Sequence, residues 1–450
     1  MKLCSLLILS LLSFQASAFQ CSQPTIISEI NFPAIDVKTA VSATGEAVIV
    51  WNEETNDAEV IKATTKGKQW AAPQVISKLE DSWISLQCEY DAAGNLSVYW
   101  QGQGNEGNWP LHSAAKPKDG NWQTPVSPLN SQEQQLVDDS YGQDFFFNAQ
   151  GHRVWIFPEE TRDPRTWQTN YTLHALTVVP GQPTGKKQPL GKLSSSYSSY
   201  WLSASPQGKP FAFWKMEDNS QQTKFAASWQ QPDGSWTQAE MIDTGNVPLG
   251  SFYSVEIAID SKDNVCLLAE TADDEIWALT RTNGRWEKPT QISAPEASIY
   301  GIQLAVDADG NFLAAWETSS SGRKTISYAA YKPRGEAWTA PAQVGSDHAG
   351  DLILQADAKG RFMLVWQELK SWKDGSVHAI LFSAKDRKWS SPTQLSPRGK
   401  VCFNPTFALS SAGTGVVTWF TSGNLAPSSA GLWIEAVDVS LDAVNHRPIE

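Results

Sequence analysis

One segment recurs along nearly the whole of this chain, and its recurrence restricts the fold more than any other feature. The copy from Ile299 to Gly345 displays it best, as four short extended runs separated by turns. Its first turn, Asp307-Ala308-Asp309-Gly310-Asn311, is followed six residues past the glycine by Trp316. A later turn carries Gly335, then Trp338, then Pro341. Aligning on the first-turn glycine gives eight copies, at Gly45, Gly94, Gly151, Gly208, Asp263 in place of Gly, Gly310, Gly360 and Gly413, spaced 47 to 57 residues apart. A repeat of this length is one supersecondary unit, which buries its faces only by stacking on its neighbours.

The turn has a mechanism. Asp at its head accepts backbone N–H groups, and Gly takes the positive φ that a hairpin needs. Asp307 and Asp309 also suggest a calcium loop, but the other copies lack the remaining ligands, so a hairpin turn is the reading adopted. Six residues on stands Trp51, Trp100, Trp214, Trp316, Trp366 or Trp419, with Phe157 and Ala269 in the third and fifth copies. The strand between is apolar on both faces: Phe362, Leu364 and Trp366 alternate with Met363 and Val365. No helical period separates the strands, so the cover on both faces must be neighbouring sheets. The 21 Trp of the chain fit a repeated packing position.

The second signature, Trp then Pro three residues on, occurs as Trp70/Pro73, Trp122/Pro125, Trp286/Pro289, Trp338/Pro341 and Trp389/Pro392. Proline cannot donate to a ladder, so this run is expected at the outer edge of each sheet. Copy three lacks the Trp and carries an insertion, Val179 to Gly191, in its place. Copy eight ends near Leu441 after three strands. Its fourth appears at the other end of the chain, where Pro24-Thr25-Ile26-Ile27-Ser28 reads like Pro289-Thr290-Gln291-Ile292-Ser293. The expected fold is therefore all-β: a closed β-propeller of about eight four-stranded blades, the last completed by the N-terminal strand.

The resulting division is residues 1–18 as a signal peptide, 22–441 as one propeller domain and 442–450 as a tail. Lys2, the apolar run Leu6 to Leu12 and Ala16-Ser17-Ala18 form the signal, which is too short to span a bilayer. The chain is expected to be secreted or periplasmic, without membrane insertion and monomeric. The formal net charge is −13, and loss of Lys2 makes it −14. Such a charge argues against nucleic acid and anionic membranes as partners. Of the four cysteines after the signal, Cys21, Cys88, Cys266 and Cys402, none has metal-ligand spacing, and buried thiols are expected. No cofactor is expected.

The pattern resembles secreted bacterial β-propeller repeat proteins whose blades carry a DxxGN turn followed by Trp, and more distantly sialidase-type and lectin-type propellers. The resemblance implies architecture only. The sialidase box places its aromatic about three residues after the glycine, whereas Trp316 follows Gly310 by six, and no Arg-Ile-Pro motif occurs. Sialidase activity is therefore not carried over.

Two sets of residues fall at the end of the blades where the first strand begins and the second strand stops. Ten or eleven residues before the turn glycine stand Trp83, Tyr141, Tyr197, Phe252, Tyr253, Tyr300 and Phe403. Rings there suit sugar faces, peptide side chains or cations, or they wedge blades together. Just after the second strand come Glu53, Glu159, Glu217, Glu270, Glu317 and Glu368, a candidate carboxylate ring or a set of solvated loop residues. The longest loops add Trp167 and Trp372. Ser346-Asp347-His348 is adjacency without triad geometry, and no HExxH or phosphate loop occurs. The chain thus reads as a non-enzymatic binding propeller offering Trp83, Tyr141, Tyr197, Tyr253, Tyr300, Glu53, Glu159, Glu217, Glu317, Glu368 and Trp372 to a carbohydrate or protein. The alternative is a glycan-active hydrolase or lyase using two of these carboxylates. A third reading, a surface-assembly protein, calls for flat apolar edges.

Overall fold

The turn does what its sequence demands. In the computed structural model Asp307 Oδ1 accepts the N–H groups of Asp309 (3.0 Å) and Asn311 (2.9 Å), and Oδ2 accepts Asn311 Nδ2 (2.7 Å). Asn311 Oδ1 then accepts the Arg334 N–H at 2.9 Å, tying the first turn of the unit to its second. Asp91-Asn95-Lys118 and Asp260-Asn264-Asn283 repeat the relay. The aspartate oxygens are occupied by the turn itself, as the hairpin reading requires.

The structure describes residues 19–442 except 29–33, 56–57, 80–83, 103–109, 139–143, 148–151, 166, 168, 180–181, 183–184, 194–199, 218–222, 245–246, 248–251, 272, 294–297, 321–323, 372 and 423–431. The expected signal peptide and most of the expected tail lie outside these residues. The described strands form eight antiparallel sheets of three to five strands, seven of them from consecutive segments. Sheet 1 takes Ala34–Val41, Ala47–Glu54, Glu59–Lys66 and Gln74–Leu79. Sheet 2 takes Ile84–Tyr90, Leu96–Gly102 and Leu111–Lys116. Sheet 3 takes Asp144–Phe147, Arg153–Arg162, Thr169–Val178 and Lys186–Leu193. Sheet 4 takes Tyr200–Ala204, Pro210–Glu217, Thr223–Trp229 and Glu240–Ile242. Sheet 5 takes Phe252–Ile259, Val265–Thr271 and Ile276–Thr282, with Arg285–Trp286 and Thr290–Gln291 both pairing the third strand. Sheet 6 takes Ser298–Val306, Phe312–Ser320, Lys324–Lys332 and Ala342–Val344. Sheet 7 takes Ala349–Ala356, Arg361–Ser371 and Asp374–Ser383, with Lys388–Trp389 and Thr393–Gln394 outside. Sheet 8 takes Val401–Leu409, Thr414–Ser422 and Leu432–Ser440. Two N-terminal strands, Gln20–Cys21 and Thr25–Ile26, pair with Leu432–Ser440.

Stacking of sheets supplies the core. Phe362, Leu364 and Trp366 enter one apolar cluster while Met363 and Val365 of the same strand enter another, so one second strand feeds two cores. The second-strand Trp51, Trp100, Trp214, Trp316, Trp366 and Trp419 are at most 3 % exposed. Removing such a ring costs about 3–5 kcal/mol in a typical core. The Pro-bearing run lies outermost as expected, and in sheet 5 it is split into two pieces on either side of Pro289. The arrangement is nearly all-β and propeller-like. First strands of neighbouring sheets lie side by side, as in sheets 5 and 6, 6 and 7, and 7 and 8. Gln355 of sheet 7 stitches two of them, accepting Leu409 N–H (2.6 Å) and donating to Phe407 O (3.0 Å).

The turn glycines are needed twice over. Gly310 has φ +83°, and a Cβ there would lie 2.6 Å from Asp260 Oδ2 of the preceding sheet's turn. Gly413 has φ +91° and stands in the same relation to Asp357, at 2.8 Å. The positive φ was legible from the turn type; the close approach of consecutive turns was not.

Three expectations change. Copy three makes its outer strand from the expected insertion: Lys186–Leu193 pairs with the third strand from Tyr171 to Thr177 without any Trp. Copy two has no fourth strand among the described residues, only a bridge between Ser113 and Val126, followed by a helix at Ser131–Asp138. Asn130 caps that helix, its Oδ1 accepting Gln132 and Glu133 N–H, while Glu133 Oε2 accepts Asn130 N–H in return. The four described cysteines are all free, but only Cys266 and Cys402 are buried; Cys88 is half-buried and Cys21 is exposed on its strand. No described helix is long and apolar enough to cross a membrane.

Candidate functional site

Strand alternation sorts the second-strand acids onto two faces. Glu53, Glu159 and Glu368 stand eight residues past their turn position, on the same face as the buried aromatic at six. Each is held there by its own sheet. Glu53 is fully buried and accepts Trp51 Nε1 (2.8 Å) and Lys62 Nζ (2.6 Å). Glu159 meets Lys187 (2.7 Å) and His174 (3.3 Å), and the Lys187 hydrogen bond holds its carboxyl below the usual range. Glu368 meets Lys370 (2.9 Å) and His378 (3.6 Å); burial opposes its ionisation, yet the Lys370 and Ser346 hydrogen bonds leave its pKa lowered. His174 stacks on Phe157 and His378 on Trp366, and burial depresses both imidazoles. Sheet 8 varies the theme from its third strand: buried Glu435 accepts Trp419 Nε1 (3.3 Å), Trp433 Nε1 (3.1 Å) and Lys400 Nζ (2.6 Å). A basic or aromatic neighbour opposite the second-strand ring was not foreseen, although Lys62, His174 and His378 sit at one register position.

Glu317 stands seven residues past its glycine and so points to the other face. It is 9 % exposed and reaches the next sheet, accepting Leu352 N–H at 3.1 Å. Leu352 belongs to a bulge in the first strand of sheet 7, where Asp351 has φ +52°. Gln367, at the same offset, accepts Asn404 N–H (2.7 Å) in the corresponding bulge of sheet 8, where φ is +49°. Burial, with the charge of Asp351 added, raises the Glu317 pKa, and burial raises that of Asp351. Glu270, at this offset in sheet 5, is likewise buried and raised, by burial and then Asp274.

Tyr300 pairs with Glu317 across the first two strands of sheet 6, immediately before the bulge residue Gly301, φ +54°. It is 53 % exposed, so the bulge presents this ring outward. Tyr253 is itself the extra residue of a bulge, between the pairs Phe252–Thr271 and Ser254–Glu270. Glu217 ends the second strand of sheet 4, paired with Thr223. Trp83, Tyr141, Tyr197 and Trp372 lie outside the described residues. These acids thus share the end of the second strands but differ in sheet side: Glu53 is fully buried, Glu159 and Glu368 are held within their own sheets and Glu317 reaches the next sheet. Ser346 Oγ accepts the backbone N–H of His348 (3.4 Å), a local turn bond.

The longest second-to-third-strand hairpin in unbroken register is that of sheet 3, ten residues a side from Arg153–Val178 to Arg162–Thr169. Trp167 stands in its connection, 68 % exposed. The cavities at the opposite, turn-glycine end include two larger open ones. One of about 490 Å³ is lined by His152, Gln207, Lys209, Gln230, Gln231 and Pro232 among others. Lys209 there is paired with Asp263 (2.7 Å) and lies 4.6 Å above the Trp229 ring. The other, of about 420 Å³, opens at the seam of sheets 8 and 1 beside Cys21, Gly45, Lys66, Thr414 and Asp438. Burial alone pushes Glu256 on the first strand of sheet 5 up to about 7. Burial, reinforced by Asp91, does the same to Glu89 in sheet 2.

No protein-family model matches this chain, and no curated protein matches it. Solved structures similar in fold include the BP39L lectin from Burkholderia pseudomallei, at 11 % identity and TM-score 0.46, covering 85 % of this chain and all of that one. An ulvan lyase is similar at 10 % identity and TM-score 0.47, over 80 % and 98 % of the two chains. The NanB sialidase from Streptococcus pneumoniae is similar at 13 % identity and TM-score 0.36, over 94 % and 70 %. At these values none bears on what this chain binds or does.

Proposed function

We propose that this chain is an exported, non-enzymatic carbohydrate-binding propeller, closed as a ring of eight blades, with its binding face at the end where first strands begin. The observation that carries the binding reading is the fate of the acids. Glu53, Glu159 and Glu368 are neutralised within their own sheets, and Glu317 is engaged by a backbone amide of the next. A glycosidase needs one carboxylate free as acid and a second free across a cleft. Exposed Tyr300 beside a bulge offers instead a ring on which a sugar face can stack. Support for closure comes from the pairing of Thr25–Ile26 with Glu435 and Ala436, and from the 3.3 Å contact of the Thr39 and Thr406 hydroxyls. Export rests on the sequence of residues 1–18.

A glycan array probed with residues 19–450 tests the reading, followed by incubation with any glycan retained. Retention without cleavage is expected, and Tyr300→Ala should weaken it. Cleavage would reverse the assignment in favour of a hydrolase or lyase, with Glu317 and Asp351 the acids to substitute first. Absence of any glycan binding would overturn it.

A further inference from the structure

We infer that Trp167 and Arg162 form a sugar-stacking platform at the tip of the sheet 3 hairpin, taking a neutral pyranose unit of a polysaccharide. This extends the binding face proposed above to a second contact and rests on that reading.

Trp167 is the most exposed of the large apolar side chains described, at 68 %. It is also held in place. Its N–H donates to Asp163 O at 2.8 Å, and the Arg165 N–H donates to Asp163 Oδ1 at 2.7 Å in an Asx turn. Its φ is +60°, a backbone region that bulky side chains rarely adopt. Observed strain of this kind at an exposed ring points to function, because solvent exposure gives the ring no packing reason to be there. The hairpin beneath is rigidly paired along its length, so the ring is carried on a stiff arm.

The chemistry of the site selects the ligand. The Arg162 guanidinium lies 4.8 Å from the indole centroid and covers one face by a cation–π contact. The other face remains for a ligand, and a flat indole face matches the C–H face of a pyranose. Along the sequence Arg162 and Arg165 are matched by Glu160 and Asp163, so this stretch carries no net charge. A polyanion gains nothing from such a set, whereas the fork of a guanidinium and a carboxylate both hydrogen-bond to sugar hydroxyls.

Affinity electrophoresis of the full chain, in gels cast with laminarin, xylan or dextran, tests this. Retardation by at least one is expected. Trp167→Ala should weaken it about tenfold or more, the loss expected of a large aromatic contact. Trp167→Phe should retain part. Trp167→Gly, which relieves the positive φ, should lose binding with an unchanged or higher melting temperature, a pairing that a merely structural ring would not give. Equal retardation of wild type and Trp167→Ala overturns the platform. If Tyr300→Ala abolishes that retardation while Trp167→Ala does not, the wider binding face stands and only the platform falls. No retardation by any of the three, with no glycan retained on the array, overturns both. Binding to polygalacturonate alone, removed by salt, overturns the platform by showing charge as the attraction.

Discussion

Single residues in this molecule are mostly committed to one another, and the commitments can be tested one at a time. Glu53 is buried between Lys62 and the Trp51 indole. Glu53→Ala leaves a cation and an N–H without a partner, so urea unfolding should show a loss of about 3–5 kcal/mol. Glu89 and Glu256 behave oppositely. Burial lifts both to about 7, so the folded state holds their protons where the unfolded chain, at the usual carboxylate value, has released them. Their cost is absent below about pH 4.5, grows as pH rises and is complete above about pH 7. Glu89→Gln and Glu256→Gln should therefore raise the melting temperature at pH 8 and leave it unchanged at pH 4.5. Equal effects at both values would place the cause elsewhere.

At the level of elements, the turn and the bulge are the joints between sheets. Gly310→Ala meets both a positive φ and the Asp260 carboxylate, and should cost more than the roughly 1 kcal/mol of strain alone, read from denaturant midpoints. Glu317→Ala should leave the Leu352 amide unpartnered, costing about 1–3 kcal/mol, and speed its hydrogen exchange more than that of Ile380. Glu317→Gln keeps an acceptor oxygen and should largely restore protection. These elements also show what the sequence disclosed. The Asp-x-x-Gly-Asn turn, the Trp six residues on and the Pro-bearing outer strand are local patterns, and each was readable because its cause lies within a few residues. The different partners of the acids were not legible, because offsets of seven and eight look alike along a chain but face opposite sides of a strand. Contacts between sheets, such as Gln367 to Asn404 or Gly310 to Asp260, join residues about forty to fifty apart and leave no local mark. The helix at Ser131–Asp138 did leave one, the Asn130/Glu133 capping pair, which the strand pattern around it obscured.

For the whole molecule, the pairing of Gln20–Cys21 and Thr25–Ile26 with Leu432–Ser440 joins the segments most distant in sequence. Phe19 is 1 % exposed in a cluster with Trp419, Val437 and Leu441, and Ser28 Oγ accepts Ile434 N–H at 2.8 Å. Deleting residues 19–28 should expose the edge of Leu432–Ser440, lower the melting temperature and produce concentration-dependent association in gel filtration. A truncated chain that melts and elutes like the full one would show the ends to be dispensable.

Time enters through that same pairing. Ile26 and Glu435 are neighbours in the folded sheet but are made about 400 residues apart. At about 5–20 residues per second, the N-terminal strand waits about 20–80 seconds for its partner. Throughout that interval its backbone groups lack their sheet partners, and Ile26 remains 52 % exposed even when paired. The slowest productive event in folding should therefore be the search of these two segments, about 400 residues apart, for each other. Variants that weaken the seam would be expected to reveal themselves first in yield at high expression, before any equilibrium measurement detects them.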